Sequence, residues 1–291
     1  MVIKNLGGNS GCNVFLYDID EKTRFVHKVS SSKAYNKRLE IQCNKQQESF
    51  NLYHNAPEVY SKGFDADGLF YFDMEYIHGK TLSQYIKNIP VSEINRIVDN
   101  IVDNIVQNKK NDHICKDVQK IFQDKITNLQ LSIPIEYSNS DVISKSISLL
   151  KKHDWSKFTR SQCHGDLTLE NIIISSGKLY FIDFLDSFYD SWLLDLGKIM
   201  QDVQVLWAYR FEKRITINTQ IRLHIFHDIL IKKMDDISPQ LKVEINYSLL
   251  LHLLRIYPYA KDIQTLDFLN IEIRSTIGMI EYLEEELQST L

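Results

Sequence analysis

Three polar side chains in one short stretch have the types and the spacing to handle phosphate groups. Asp166 and Asn171 lie five positions apart, and Asp183 follows twelve positions after Asn171. A carboxylate and an amide held at one place bind a hard cation through oxygen, and the other carboxylate then remains to orient a hydroxyl group. The stretch is therefore a candidate for phosphoryl-transfer chemistry, provided that the fold brings the three side chains together.

The residues around these side chains predict a tight β-hairpin. Residues 172–174 are typical of a short buried strand, residues 175–178 supply turn chemistry, and residues 179–182 predict the returning strand. A tight hairpin brings the end of its second strand beside the start of its first. We therefore expect Asn171 and Asp183 to lie close together, with Asp166 on the loop just ahead of them.

The same stretch resembles a known family. The segments His164-Gly165-Asp166-Leu167, Asn171 and Ile182-Asp183-Phe184 are similar to the catalytic and metal loops of aminoglycoside phosphotransferase and choline kinase-like small-molecule kinases. The resemblance implies an α+β, bilobal protein-kinase-like fold. A small β-rich nucleotide-binding lobe is expected over residues 1–77, and a larger, mostly helical lobe for catalysis and acceptor binding over residues 78–291.

The resemblance also implies roles for individual side chains. Asp166 is expected to accept a hydrogen bond from the acceptor hydroxyl, while Asn171 and Asp183 hold Mg²⁺ between the phosphates. Lys28 on a predicted strand is expected to reach the phosphates of ATP or GTP, the alternative being a solvent-facing lysine on an edge strand. Glu48 is expected to pair with Lys28, with Glu40 as the alternative.

Further residues are implied to contact the nucleotide. Gly8 and Gly11 belong to a glycine-rich turn whose backbone could approach phosphate, although an ordinary hairpin turn looks the same. Val26 is expected against the base. The backbone of Glu75 to Ile77 is expected to hydrogen-bond the adenine edge.

Composition narrows the class of protein. The chain has 291 residues, of which 44% are hydrophobic and 25% charged, and its net charge of -4 gives no overall basic field for nucleic acid. No long apolar run and no signal-like start occur, so a cytoplasmic protein without membrane contact is predicted. The four scattered cysteines argue against a zinc site or a disulfide framework.

The helical remainder offers weaker candidates for ligand binding. Five aromatic residues could form a cage for a quaternary ammonium group, although core packing is the more common role of such residues: Trp192, Trp207, Tyr209, Tyr257 and Tyr259. His224 and His227 have a spacing that could offer two metal ligands, with only Asp228 close by as a third. Ordinary histidines are the favoured interpretation there.

The sequence thus predicts a nucleotide-dependent O-phosphotransferase that moves the γ-phosphate to a hydroxyl of a small metabolite: a sugar, a polyol, an aminoglycoside or an amino alcohol. One alternative is a kinase-like enzyme acting on a partner protein. Against it, a helical pattern begins soon after Asp183, no Ala-Pro-Glu motif follows Asp183, and position 165 is glycine instead of the arginine that reads a phosphorylated loop. Another alternative is a non-catalytic nucleotide-binding scaffold.

Overall fold

The fold comprises two compact units in the computed structural model, which describes residues 2–6, 11–20, 23–109, 112–138, 140–212 and 214–290. The first unit combines Met1–Tyr85 with His164–Ser187, and the second combines Ile86–Cys163 with Phe188–Leu291. The hairpin that carries the candidate site is therefore part of the same unit as the N-terminal strands. The boundary expected at residue 77 stays a prediction.

The first unit contains an antiparallel sheet of five strands in the order β1-β2-β3-β5-β4. These strands are β1 Val2–Asn5, β2 Cys12–Asp20, β3 Thr23–Ser30, β4 Val59–Phe64 and β5 Phe70–Glu75. Alternate residues of β3 point to one face, so Val26 and Lys28 are both buried, at 6% and 2% exposure. Helix α1, Asn36–Tyr53, packs on the sheet, and its Leu39 and Cys43 join Val26 in one apolar cluster.

A second, three-stranded sheet belongs to the same unit. It has the order β6-β7-β8, formed by β6 Lys80–Thr81, β7 Ile172–Ser175 and β8 Lys178–Phe181, and the short helix α2, Leu82–Tyr85, follows β6. Gly79 fits closely here, because a Cβ added to it would lie 2.3 Å from the carbonyl oxygen of Ile174. A residue with a side chain at this position would therefore displace β7, the strand that follows Asn171.

The second unit is helical. Its helices are α3 Val91–Lys109, α4 Val118–Ser132, α5 Ile135–Ser138, α6 Asp141–Lys152, α7 Trp192–Val203, α8 Ile217–Ile237, α9 Gln240–Ile256 and α10 Ile263–Thr290. In α9 every residue from Val243 to Leu254 is buried, so this helix lies at the centre of the unit. In α3 apolar residues recur at three- and four-residue steps, as in a helix with one core-facing side, and they are buried from Ile94 to Ile105.

The expected fold class is confirmed: an N-terminal part built on antiparallel strands precedes a mostly helical C-terminal part. The predicted hairpin is present as β7 and β8. Within the described ranges, no helix combines the length and the apolar character needed to cross a bilayer.

Candidate active site

The hairpin places Asn171 and Asp183 at the same end. Ser176 and Gly177 form its two-residue turn, and both have positive φ values, 47° and 78°, as in the turns that suit the twist of paired strands. Ile172 pairs with Phe181. One step further on, the N–H of Ile182 donates to the carbonyl oxygen of Asn171 at 2.9 Å. Asp183 is the next residue, so the spacing predicts this part of the site correctly.

Hydrogen bonds from Asn171 and Thr168 hold Asp166 in the loop that precedes the hairpin. The Nδ2 of Asn171 donates to the backbone oxygen of Asp166 at 2.8 Å and to its carboxylate oxygen Oδ2 at 3.1 Å. The N–H of Thr168 donates to the same backbone oxygen at 2.8 Å. Because the amide nitrogen of Asn171 is used in this way, its Oδ1 is the atom that can serve as a cation ligand.

His164 links the loop that carries Asp166 to the end of the returning strand by two hydrogen bonds. Its Nε2–H donates to the carbonyl oxygen of Ile182 at 2.7 Å, and its Nδ1 accepts the N–H of Asp166 at 3.2 Å. Burial lowers the pKa of His164 to about 4, although the nearby Asp166 and Asp183 and the bond to Ile182 oppose this shift. His164 is thus neutral at pH 7 and acts as a support for Asp166.

Lys28 and Asp183 form an ion pair. The Nζ of Lys28 lies 2.8 Å from Oδ1 of Asp183, and the two side chains are 2% and 50% exposed. Burial disfavours the charged ammonium, but the attraction of Asp183 and its hydrogen bond, together with smaller contributions from Cys12 and Tyr35, outweigh burial, and the pKa of Lys28 is raised. Asp183 adopts a left-handed backbone with φ of 62°. The pair therefore presents a half-exposed carboxylate beside a buried cation.

The expected partnership of Lys28 with Glu48 is not present. Glu48 and the alternative Glu40 are both exposed, because the buried face of α1 consists of Leu39, Gln42, Cys43 and Gln46. Within the described part of the chain, Lys28 forms its ion pair with Asp183 and with neither glutamate.

Helix α1 instead contacts the segment after Asp183, which the sequence did not reveal. Arg38 donates to both carboxylate oxygens of Asp186, at 2.8 and 3.1 Å. Lys45 donates to the backbone oxygen of Leu185 at 2.9 Å. Arg38 and Lys45 are seven residues apart and so share one helix face. This spacing was the only feature of the sequence that could have indicated their common contact with the segment after Asp183. These contacts position the segment that carries Asp183.

The backbone and surroundings of Gly165 explain why no arginine occupies this position in the loop that carries Asp166. Its φ is +89°, and an added Cβ would lie 2.6 Å from the backbone oxygen of Leu185 and from Oγ of Ser187. Glycine is the residue that adopts this backbone without strain. The close approach of the two loops therefore requires glycine here.

The other expected nucleotide contacts are distributed over the same unit. Gly11 has a φ of +61°, and its carbonyl oxygen accepts the backbone N–H and hydroxyl of Ser31, at 3.0 and 2.6 Å. The N–H of Glu75 already donates to the backbone oxygen of Glu58 at 2.9 Å, and Ile77 is buried. Gly8 lies outside the described residues. Contact of Gly11, Val26, Glu75 and Ile77 with a nucleotide stays a prediction.

The aromatic residues of the helical unit do not form a common cage. Trp192, Tyr209 and Tyr257 are each at most 2% exposed, whereas Tyr259 is 79% exposed. The ligand atoms of His224, His227 and Asp228 lie within 4.8 Å of one another on α8. This group is largely exposed and we assign it no role.

The chain has the fold of several solved small-molecule kinases. It matches a thermostable mutant of aminoglycoside phosphotransferase APH(4)-Ia in ternary complex with AMP-PNP and hygromycin B, with 12% identity, a TM-score of 0.63, and coverage of 95% of this chain and 93% of that one. It matches choline kinase from Cryptosporidium parvum Iowa II with 10% identity, a TM-score of 0.62 and coverage of 97% and 90%. For choline kinase LicA from Streptococcus pneumoniae the identity is 16%, the TM-score 0.54 and the coverage 96% and 94%.

These similarities concern the fold. No protein-family model matches the sequence, and no curated protein matches it. The expected resemblance to aminoglycoside phosphotransferases and choline kinases is confirmed by the structural matches, which cover nearly the whole chain.

Proposed function

We propose that the protein is an ATP-dependent O-phosphotransferase that moves the γ-phosphate to a hydroxyl of a small metabolite. The acceptor would be a sugar, a polyol, an aminoglycoside or an amino alcohol. The observation that carries the proposal is the joint placement of Asp166, Asn171 and Asp183 at one hairpin end, with Lys28 paired to Asp183. The fold shared with solved small-molecule kinases supports it.

Asp166 would act on the acceptor hydroxyl. Its loop is held by Asn171 and His164, so its carboxylate has a defined direction before substrate arrives. Because phosphoryl transfer has a loose transition state, the main contribution of Asp166 would be to orient the hydroxyl, with its proton taken late. His164 stays neutral and supports the loop.

The donor atoms at the hairpin end fit Mg²⁺. The amide oxygen of Asn171 and the half-exposed carboxylate of Asp183 are hard oxygen ligands, and such ions usually complete their coordination with phosphate oxygens and water. A bound Mg²⁺ would neutralise charge on the transferring phosphate. Asp183 would then be shared between this ion and the ammonium of Lys28.

Lys28 would hold the phosphates of the nucleotide. Its charge is buried and is kept by Asp183, so a fixed cation is available without rearrangement. The APH(4)-Ia complex that shares this fold contains AMP-PNP, which supports the use of a nucleotide by this protein. A cytoplasmic location, where ATP is abundant, is part of the proposal.

Two features favour a small acceptor over a protein. Helix α7 begins at Trp192, which leaves little chain after Asp183 for an activation loop, and no Ala-Pro-Glu motif follows Asp183 in the sequence. The tight contact of Gly165 with Leu185 leaves no room for the arginine that reads a phosphorylated loop.

Incubation with Mg·ATP and pooled sugars, polyols, amino alcohols and aminoglycosides, followed by mass spectrometry, tests the proposal. A mass gain of one phosphate on one compound class would establish the activity and identify the acceptor class. Incorporation of phosphate into added protein would overturn the small-molecule proposal, and failure to bind any nucleotide would overturn the kinase assignment.

A further inference from the structure

The helical unit contains a half-open cavity of about 550 Å³. It lies between the C-terminal half of α4, the middle of α7, and the end of α9 with the turn that follows it. This volume is within the usual range for sites that take small molecules, roughly 300–1,000 Å³. Each wall comes from a different helix, so the cavity depends on the packing of the whole unit.

The lining of the cavity is cationic. Lys125 of α4, Lys198 of α7 and Arg255 of α9 converge on it, and none of its lining residues is an aspartate or a glutamate. Asn128 and Ser132 add groups that can donate hydrogen bonds. This concentration of positive charge occurs in a chain whose net charge is -4, so the cavity differs in sign from the molecule as a whole.

The charges in the cavity repel one another. Burial lowers the pKa of Lys125, and the charge of Arg255 lowers it further. Within the described ranges no carboxylate lies at ion-pair distance from Lys125. An anion placed among these side chains would relieve the repulsion and favour their charged forms.

His252 at the cavity wall carries no charge. It is 2% exposed, and its Nε2–H donates to the carbonyl oxygen of Leu194 at 2.9 Å. Burial holds the pKa of His252 well below its usual value, and the charges of Lys198 and Arg255 lower it further. The positive field that an entering ligand meets therefore comes from the lysines and the arginine.

An aromatic ring helps to hold two of these cations in place. The Nζ of Lys125 lies 5.4 Å from the centroid of the Phe188 ring, and the Cζ of Arg255 lies 5.7 Å from it. The cavity also has apolar walls, including the exposed ring of Tyr259. These walls suit the carbon skeleton of an organic ligand.

We propose that this cavity is a binding site for a small organic anion that bears a phosphate or a carboxylate group. Lys125 and Arg255 would bind the anionic group through charge-assisted hydrogen bonds, and the apolar wall would contact its carbon skeleton. The site excludes small cations such as quaternary ammonium compounds, because three positive groups line it. The proposal does not depend on the phosphotransferase activity proposed above.

Isothermal titration calorimetry of the full chain with inorganic phosphate, citrate and choline, at constant ionic strength, tests this site. The variants are Lys125→Gln and, as a matched control on the exposed face of the same helix, Lys120→Gln. We expect phosphate or citrate to bind the unmodified protein and Lys120→Gln. The affinity of the cavity for the anion should fall about tenfold or more in Lys125→Gln, because one hydrogen bond between charged groups is lost. Choline should not bind.

A thermal shift separates loss of binding from loss of folding. Because Lys125→Gln removes a mutually repelling charge, its melting temperature without anion should be no lower than that of Lys120→Gln. The better-binding anion should raise the melting temperature of Lys120→Gln and of the unmodified protein more than that of Lys125→Gln. Equal anion affinity in the two variants, binding of choline at the Lys125 site, or no saturable binding of either anion would each overturn the proposal.

Discussion

Asp183 combines three properties that a metal-binding carboxylate needs. It is half-exposed, it is anchored by the buried ammonium of Lys28, and its backbone is held in the left-handed region with φ of 62°. Asn171 lies beside it because Ile182 donates to the Asn171 carbonyl. The chemistry proposed for the chain depends on this one pair of oxygen ligands.

Replacement of Asp183 tests the metal site. Asp183→Ala should abolish the Mg²⁺-dependent part of nucleotide affinity, a loss of about a hundredfold, because one of two protein ligands disappears. Nucleotide binding is titrated with and without Mg²⁺. Asp183→Asn is the companion variant, since asparagine tolerates left-handed backbone better than alanine.

The exposed Asp67, in the same unit but in a turn, provides the control. Asp67→Ala should bind Mg·nucleotide as the unmodified protein does. An Asp183→Ala protein that is folded and retains the full Mg²⁺ effect would contradict the assignment of Asp183 as a ligand.

The individual residues of the hairpin could be predicted from sequence, whereas the partner of Lys28 could not. Spacing and turn residues define a hairpin locally, so Asn171 and Asp183 follow from it. The face that α1 turns to the sheet is set by tertiary packing, and its weakly apolar pattern includes two buried glutamines, Gln42 and Gln46. The expected Glu48 is therefore on the exposed side, and α1 contributes Arg38 and Lys45 instead.

At the scale of elements, helices α7 and α9 approach each other closely at Gly197, where a side chain would collide with Ser248. A Cβ added to Gly197 would lie 2.1 Å from Oγ and 2.7 Å from Cβ of Ser248, and 2.9 Å from the backbone carbon of the same residue. Backbone cannot move aside as a flexible side chain can. Both helices are buried, so a displacement of one would spread through the core.

Gly197→Ala should therefore destabilise the protein by about 1–3 kcal/mol, the usual cost of overpacking a core. The matched control is Gly278→Ala on α10, where an added Cβ meets nothing within 4 Å. That substitution should be neutral or stabilise by up to about 1 kcal/mol, because alanine favours helix more than glycine does. Urea unfolding measures both, and equal effects would show that the α7–α9 contact tolerates a methyl group.

Helix positions are predicted more reliably than helix ends. Apolar periodicity predicts a helix over the region of α3, and its buried stripe is the one observed. From its apolar residues we predict the last helix over residues 271–283, but α10 runs Ile263–Thr290. The turns added at its start include the buried Leu266 and Leu269, which continue the apolar spacing and could have extended the prediction. The residues added at its end are mostly polar and exposed, so no apolar pattern marks them.

At the scale of the whole molecule, two buried histidines make stability depend on pH. Burial lowers the pKa of His164 to about 4 and holds the pKa of His252 well below its usual value. In the unfolded chain both would titrate near 6.5. Between these values the unfolded state binds more protons than the folded state, so the free energy of unfolding decreases as pH falls.

Neutral, buried His164 should contribute about 3 kcal/mol to the free energy of unfolding. This contribution is present in full above pH 6.5 and is lost progressively as pH falls towards 4. Urea unfolding from pH 7 to pH 4, with a chelator present, measures it. The free energy of unfolding of His164→Gln should depend less steeply on pH than that of the unmodified protein. His113→Gln, a variant at an exposed position, should show the same pH dependence as the unmodified protein. Parallel pH profiles for all three proteins would contradict a neutral, buried His164.

If Asp166 orients the acceptor hydroxyl for phosphoryl transfer, its carboxylate is needed for turnover but not for nucleotide binding. Transfer of the γ-phosphate from Mg·ATP to the acceptor is measured for the unmodified protein and for Asp166→Asn. We expect Asp166→Asn to keep its nucleotide affinity and its melting temperature but to lose turnover by about a hundredfold or more. Nearly unchanged turnover in Asp166→Asn would show that Asp166 does not orient the acceptor hydroxyl.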